Sequence, residues 1–258
     1  MLKVEHLTMV YPDGTVALRD VSFEVKEGEF MGVIGLSGSG KSTLLRCINR
    51  LIEPTEGQII WNGRDITHIE QSELRMVRRE IGMVFQQFNL VKRSSVMTNV
   101  LSGRLGYTPP SWSLINRFSR ADRQLAIQAL ERVGIPDKAD NRADELSGGQ
   151  QQRVGIARAL MQQPKMILAD EPVASLDPVI SHSILGYLEK LNKEDKITVL
   201  CSLHYLDLVQ RYSTRVIGLR SGKLVFEGGK KDIAELSDTR FKEIYGEEAQ
   251  RLGAPTPE

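Results

Sequence analysis

No apolar run in this chain approaches the roughly 20 residues that cross a bilayer, which argues against a transmembrane helix. The opening stretch MLKVEHLTMVYPDG lacks the basic segment followed by a long apolar one that marks an export signal, so the expected compartment is the cytosol. Cysteine is scarce. Cys47 and Cys201 are the only two, neither has metal-ligand spacing, and they read as buried packing residues of a reducing compartment rather than as a disulfide. An excess of one charge is also missing: 34 Lys plus Arg face 33 Asp plus Glu, and a net charge of +1 gives no reason to expect nucleic acid or an anionic membrane surface. What the 258 residues do have is a hydrophobic fraction of 41%, enough for a substantial core in one large domain or two small ones.

Short β-prone runs crowd the first third: LKVEHLTMVY, ALRDVSFEVK, EFMGVIG and GQIIWNG, punctuated by Pro12-Asp13-Gly14, Glu27-Gly28 and Asn62-Gly63. From about Gln71 to Gln163 helical patterns dominate, as in SRADRQLAIQALERVG, where Leu125, Ala129 and Val133 recur near helical spacing before Gly134 and Pro136. Apolar strands return at KMILAD (Lys165 to Asp170) and ITVLCSL (Ile197 to Leu203), with the Val, Ile and Leu content of a buried parallel sheet. RVIGLRSGKLVFEG then reads as a hairpin turning at Ser221-Gly222, and RLGAPTPE as a frayed tail. The expected architecture is an α/β nucleotide-binding core interrupted by a helical insertion.

Three features carry chemistry. GLSGSGKST starts at Gly35, directly after the apolar run Phe30 to Ile34, and leads into the helix-forming run Lys41 to Asn49. Its spacing, Gly35, four residues, Gly40, Lys41, Ser42, lets a bare backbone wrap phosphates, with Lys41 reaching the terminal ones and the Ser42 hydroxyl placed for Mg²⁺. MILADEP delivers Asp170 at the carboxyl end of an apolar strand, where ligands of open α/β sheets collect, and sets Glu171 beside it as a group that can orient an attacking water. Alone, Glu171 would read equally well as a solvated turn residue. LSGGQQQRVGIARALMQQP puts Ser147, Gly148 and Gly149 before a helix over about Gln150 to Gln163, either a second anion-seeking terminus or an ordinary serine cap with a glycine turn.

Together these residues resemble the ATP-binding cassette ATPases, the energising subunits of ABC transporters, over almost the whole chain. Gly35 to Ser42 match Walker A, LSGGQ at Leu146 to Gln150 the signature, MILADE the Walker B strand with its glutamate, and Gln86 in GMVFQQFNL the Q-loop glutamine. SLDP at Ser175 to Pro178 looks like the D-loop and His204 in CSLHYLD like the switch histidine. The resemblance implies an α/β P-loop NTPase core with an N-terminal antiparallel β subdomain and an inserted α-helical subdomain. Residues 1–86 and 164–232 would form the core with the β subdomain, 87–163 the helical subdomain, and 233–258 a C-terminal helix and tail.

It also implies two copies packed head to tail, each ATP lying between the Walker A loop of one and the signature of the other. Contacts to ATP would come from Tyr11, Gly35, Ser37, Gly38, Ser39, Gly40, Lys41, Ser42 and Thr43. Ser147, Gly148, Gly149 and Gln150 would act in trans, with Asp177 communicating across the dimer. Ser42, Gln86 and Asp170 would hold Mg²⁺, and Glu171, His204 and Gln86 would serve hydrolysis. Gln87 is a rival to Gln86, a structural histidine is the alternative for His204, and an ordinary surface tyrosine is the alternative to Tyr11 stacking on adenine.

One cassette without a sustained heptad repeat or a second copy resembles a transporter subunit more than translation or chromosome ATPases. Two separate transmembrane permease subunits would then dock near Gln86 to Asn99, at the cytoplasmic face of a bacterial inner membrane, served indirectly by a periplasmic or extracellular substrate-binding protein. The segment TPPSWSLINRFSRADR looks like the phosphonate and phosphite importer group. An ATPase does not touch cargo, so substrate follows from kinship alone. The alternatives are an importer ATPase for phosphate or an amino acid, and a soluble ATP-driven clamp; a small-molecule kinase is opposed by LSGGQ and by Glu171.

Overall fold

β1 (Leu2–Val10) and β2 (Val16–Val25) bury side chains in rough alternation, the period of a sheet packed on one face. With β4 (Glu56–Trp61) and β5 (Arg64–Asp65) they form a four-stranded antiparallel sheet in the order β2-β1-β4-β5. A different pattern marks β3 (Phe30–Ile34), β6 (Ile81–Val84), β7 (Met166–Ala169) and β8 (Thr198–Ser202). Every residue in them is buried, as parallel strands covered on both faces require. They join β9 (Arg215–Arg220) and β10 (Lys223–Gly229) in a six-stranded sheet of order β10-β9-β3-β8-β7-β6, parallel except for the β9–β10 hairpin. The computed structural model describes residues 1–109, 112, 118–235 and 238–245. Most of the segment TPPSWSLINRFSRADR between 110 and 117, and the tail RLGAPTPE, lie outside them.

Among the described residues the α-helices are α1 (Lys41–Ile48), α2 (Gln71–Glu80), α3 (Val96–Leu101), α4 (Arg120–Arg132), α5 (Gly148–Leu160), α6 (Pro178–Asp195), α7 (Leu206–Tyr212), α8 (Lys230–Ala234) and α9 (Asp238–Tyr245). Helices α3, α4 and α5 fall between β6 and β7 and pack on one another through Val96, Val100, Leu130 and Val154. The start of α4 is fixed by a capping box, in which Ser119 and Asp122 satisfy each other's backbone amides. Ser221 and Gly222 both have positive φ, 48° and 78°, the pattern of a type I′ hairpin turn.

Two expectations need correction. The stretch Gln71 to Gln163 is not uniformly helical: β6 lies within it, paired to β7 with Ile81 opposite Met166. Four residues that follow a helix with no breaker between give no local sign of a strand, and only the distant partner makes one. The signature helix begins at Gly148 rather than about Gln150 and ends at Leu160, because Ser147 caps it and both glycines join its first turn. Both cysteines are free and buried; burial pushes the Cys47 thiol up to about 12 and raises that of Cys201 as well. Among the described residues no helix is long and apolar enough to cross a membrane.

Candidate active site

β3 ends at Ile34, and the chain turns through Gly35 (φ 143°), Gly38 (φ 77°) and Gly40 (φ 107°) before α1 begins. Left-handed backbone favours glycine, and space demands it at both ends of the loop. A Cβ on Gly35 would lie 2.2 Å from the Leu219 carbonyl oxygen of β9, and one on Gly40 would lie 2.5 Å from that of Ala17 in β2. The Gly222 amide of the β9–β10 turn donates to the Ser39 carbonyl (3.0 Å), so the hairpin braces the loop from behind. The Ser39 hydroxyl is buried with no partner, an orphan that a ligand oxygen would satisfy.

Lys41, only 3% exposed, curls back over the loop. Its ammonium donates to the Gly35 and Leu36 carbonyls, both at 2.9 Å, and lies 3.5 Å from the Glu171 carboxylate. Burial pulls its pKa below the ordinary lysine value, with the Glu171 charge acting the other way. Ser42 donates to Asp170 Oδ1 at 2.7 Å. Asp170 sits 1% exposed just past the end of β7, with Arg46 3.6 Å from its other oxygen. Glu171 then adopts φ 47°, a conformation costly for a residue with a side chain. Its amide is held by the Ser202 hydroxyl at 2.8 Å, and its carboxylate reaches His204 Nε2 at 2.6 Å. Tyr11 is tied to the first turn of α1 by its hydroxyl, 3.1 Å from Thr43 Oγ1.

Phosphate loop, Asp170, Glu171, His204 and Tyr11 are therefore brought together. Gln86 is not joined to them by any hydrogen bond: it is exposed, as is Gln87, two residues beyond the Val84 carbonyl that accepts the Asp170 amide at 2.9 Å. Ser147, Gly148, Gly149 and Gln150 share no hydrogen bond or ion pair with the phosphate loop either. The Ser147 hydroxyl accepts the Gln150 amide (3.4 Å), while the Gln150 side chain accepts the Ser147 amide (3.0 Å), so serine and glutamine cap their own helix. The amides of Gly148 and Gly149, in the first turn, are left without acceptors, as helix N-termini leave them. Asp177, exposed, caps α6 through the Ile180 amide at 3.0 Å.

Sequence reasoning missed Ser202, Arg46 and the bracing by Gly222. A serine closing the fully buried strand TVLCS was the available sign for Ser202. Among the described residues no three His, Cys, Asp or Glu side chains cluster as metal ligands. The Ser42 hydroxyl and Asp170 carboxylate are hard oxygen donors already in contact, a set that fits Mg²⁺, which keeps several waters of its own.

Residues 18–174 match the family model described as ABC transporter. The chain is 52% identical over 246 residues to the Phosphonates import ATP-binding protein PhnC 3 of Halalkalibacterium halodurans, covering 95% of this chain and 94% of that one. It is also 52% identical to the Phosphonates import ATP-binding protein PhnC of Shouchella clausii over 250 residues, covering 97% and 93%. Among solved structures it is similar to the dimeric bacterial ABC transporter cassette MJ0796, with TM-score 0.80, 37% identity and coverage of 89% of this chain and 99% of that one. A nucleotide-free ATP-binding cassette from an ABC transporter gives TM-score 0.84, 31% identity and coverage of 94% and 98%. The chain belongs to the ABC transporter family and is an ABC-type ATPase.

Proposed function

We propose that this ATPase powers import of phosphonate- or phosphite-type anions through a separate membrane permease. It would act as a dimer at the cytoplasmic face of a bacterial inner membrane, with a substrate-binding protein outside. The cargo class is supported by the names of the relatives, and the dimer by the solved cassette dimer. The chemistry is supported chiefly by one observation: Glu171 contacts both Lys41 and His204 at the mouth of a phosphate loop that has no room for a Cβ at Gly35 or Gly40.

In this reading the γ-phosphate displaces Glu171 as the partner of Lys41, and the freed carboxylate orients and deprotonates the attacking water. His204, kept near by the same carboxylate, hydrogen-bonds the γ-phosphate. Ser42 and Asp170 would hold Mg²⁺, joined by Gln86 when the segment after β6 moves inward; the ion would neutralise charge on the β- and γ-phosphates. Tyr11 carries the adenine, and the free amides of Gly148 and Gly149, with Ser147 and Gln150, close on the phosphate from a second copy, Asp177 lying beside them. The same reading divides the chain at 1–86 and 164–232, 87–163 and 233–258.

The test is reconstitution in lipid with the cognate permease and binding protein, measuring ATP hydrolysis with phosphonate, phosphite, phosphate or an amino acid. Stimulation by phosphonate or phosphite alone is expected. An equal response to every solute, or none, would remove the cargo assignment.

A further inference from the structure

Helix α2 separates its charges by face. Its acidic residues are engaged elsewhere: Glu73 pairs with Arg64 at 2.7 Å, and Glu80 binds Lys165 at 3.0 Å and the Trp61 indole at 2.8 Å. Arg75, Arg78 and Arg79 line a cleft of about 350 Å³ between α2 and the residues Gly106, Tyr107 and Gln162, and none of the three makes an ion pair among the described residues. Each guanidinium is instead held by backbone carbonyls, Arg78 and Arg79 along the Nε–Nη2 edge and Arg75 through Nη2 alone. Arg75 donates to Leu105, Arg78 to Asn49 and Arg50, and Arg79 to Gly106. Arg79 also stacks on the Tyr107 ring, 4.4 Å from its centroid, against Arg104 at 3.9 Å. Burial and the charge of Arg50 pull the Arg78 guanidinium below its ordinary value.

Three guanidiniums line this cleft and no carboxylate does, so an anion entering it would supply the counter-charge the lining lacks. Guanidiniums pinned on one edge keep donors on the other, so the usual entropic cost of arranging arginine side chains around a ligand is already met. Planar forks of this kind suit oxyanions that accept two hydrogen bonds at once.

We propose that this cleft is a second anion site, separate from the phosphate loop, that binds a small phosphorus oxyanion. Two sources have this chemistry: inorganic phosphate released by hydrolysis, and imported phosphonate. Only the second rests on the importer reading. Because the cleft joins α2 of the core to the loop that follows α3, an anion there would tie the helical insertion to the core and so report product or cargo to the site of hydrolysis.

The experiment is calorimetric titration of the intact chain, saturated with Mg-ADP, with inorganic phosphate and separately with methylphosphonate. Binding of at least one anion is expected, weakened roughly tenfold or more in the double variant Arg75→Gln/Arg79→Gln, with ADP affinity unchanged. Arg75 is exposed, so Arg75→Gln alone provides the test if the double variant fails to fold. Tighter phosphate assigns the site to product and tighter methylphosphonate to cargo. No binding of either anion overturns the proposal, and so does binding that the arginine variants leave intact, since phosphate would then be lodging beside ADP in the phosphate loop. A reconstituted transporter indifferent to phosphonate would remove the cargo reading and leave this site standing.

Discussion

The two glycine-bearing loops of this chain use glycine for different reasons. Around Gly35 and Gly40 the backbone has positive φ and another strand's carbonyl occupies the place of the Cβ. Around Gly148 and Gly149 the backbone is ordinary helix, and the missing side chains make room for Leu176 and Ile180 of the neighbouring segment. The first loop is surrounded by ionisable side chains of its own chain: Lys41, Asp170, Glu171 and His204. The second offers a capped helix end with two free amides, beside an exposed surface on which Val179 stands 80% open. One loop is ringed by ionisable side chains of its own chain, and in the proposed function the other completes the site of a second copy.

Glu171→Gln should test the first loop most severely. ATP affinity is retained, because the phosphate loop and Asp170 are untouched, while turnover falls by about 10²–10⁴-fold in a steady-state ATPase assay. Lys41→Ala should weaken nucleotide binding by about 10- to 100-fold in an equilibrium titration, the loss of one charge-assisted phosphate contact. Substituting alanine at the glycines sharpens the contrast directly. Gly40→Ala forces both φ and contact distance and should cost about 1–3 kcal/mol in urea unfolding, whereas Gly148→Ala, whose Cβ would lie 3.2 Å from the mobile end of Leu176, should cost less than about 1 kcal/mol. If the two cost the same, the distinction between the loops fails.

Smaller effects follow. Ser147→Ala removes an N-cap and should cost about 0.5–2 kcal/mol of stability while leaving the ATP affinity of the monomer unchanged. The depressed pKa of Lys41 predicts that ATP affinity declines with rising pH before the ordinary lysine value of 10.5 is reached, because the ammonium is lost early in the folded chain. The sign for stability is opposite. Burying the ammonium costs stability while both states hold the proton, and the cost is relieved as pH rises from the folded pKa to 10.5, where only the unfolded chain still holds it. Titration of Kd against pH, compared with Lys41→Arg, checks the first statement.

Short-range chemistry was legible in the sequence, because spacing along one strand, turn and helix fixes it: the phosphate loop, the Asp170 strand end and the β9–β10 turn all lie where their local patterns put them. What stayed hidden depends on partners far along the chain. Ser202 holds the amide of Glu171 across 31 residues, and β6 is a strand only because β7 lies beside it. Leu219 and Ala17 impose the glycines at Gly35 and Gly40 from opposite ends of the chain. The separation of Gln86 from the site was not legible either, since its role came from resemblance and no local pattern in GMVFQQFNL fixes where its side chain lies.

The most direct test of two half-sites completed by a second copy is sedimentation of Glu171→Gln with and without Mg-ATP, alongside the same protein carrying Ser147→Arg. The account predicts a dimer that forms only with ATP and is lost when Ser147 is replaced, although each monomer still binds nucleotide. A chain that stays monomeric with ATP bound, or a dimer indifferent to both ATP and Ser147, would contradict it.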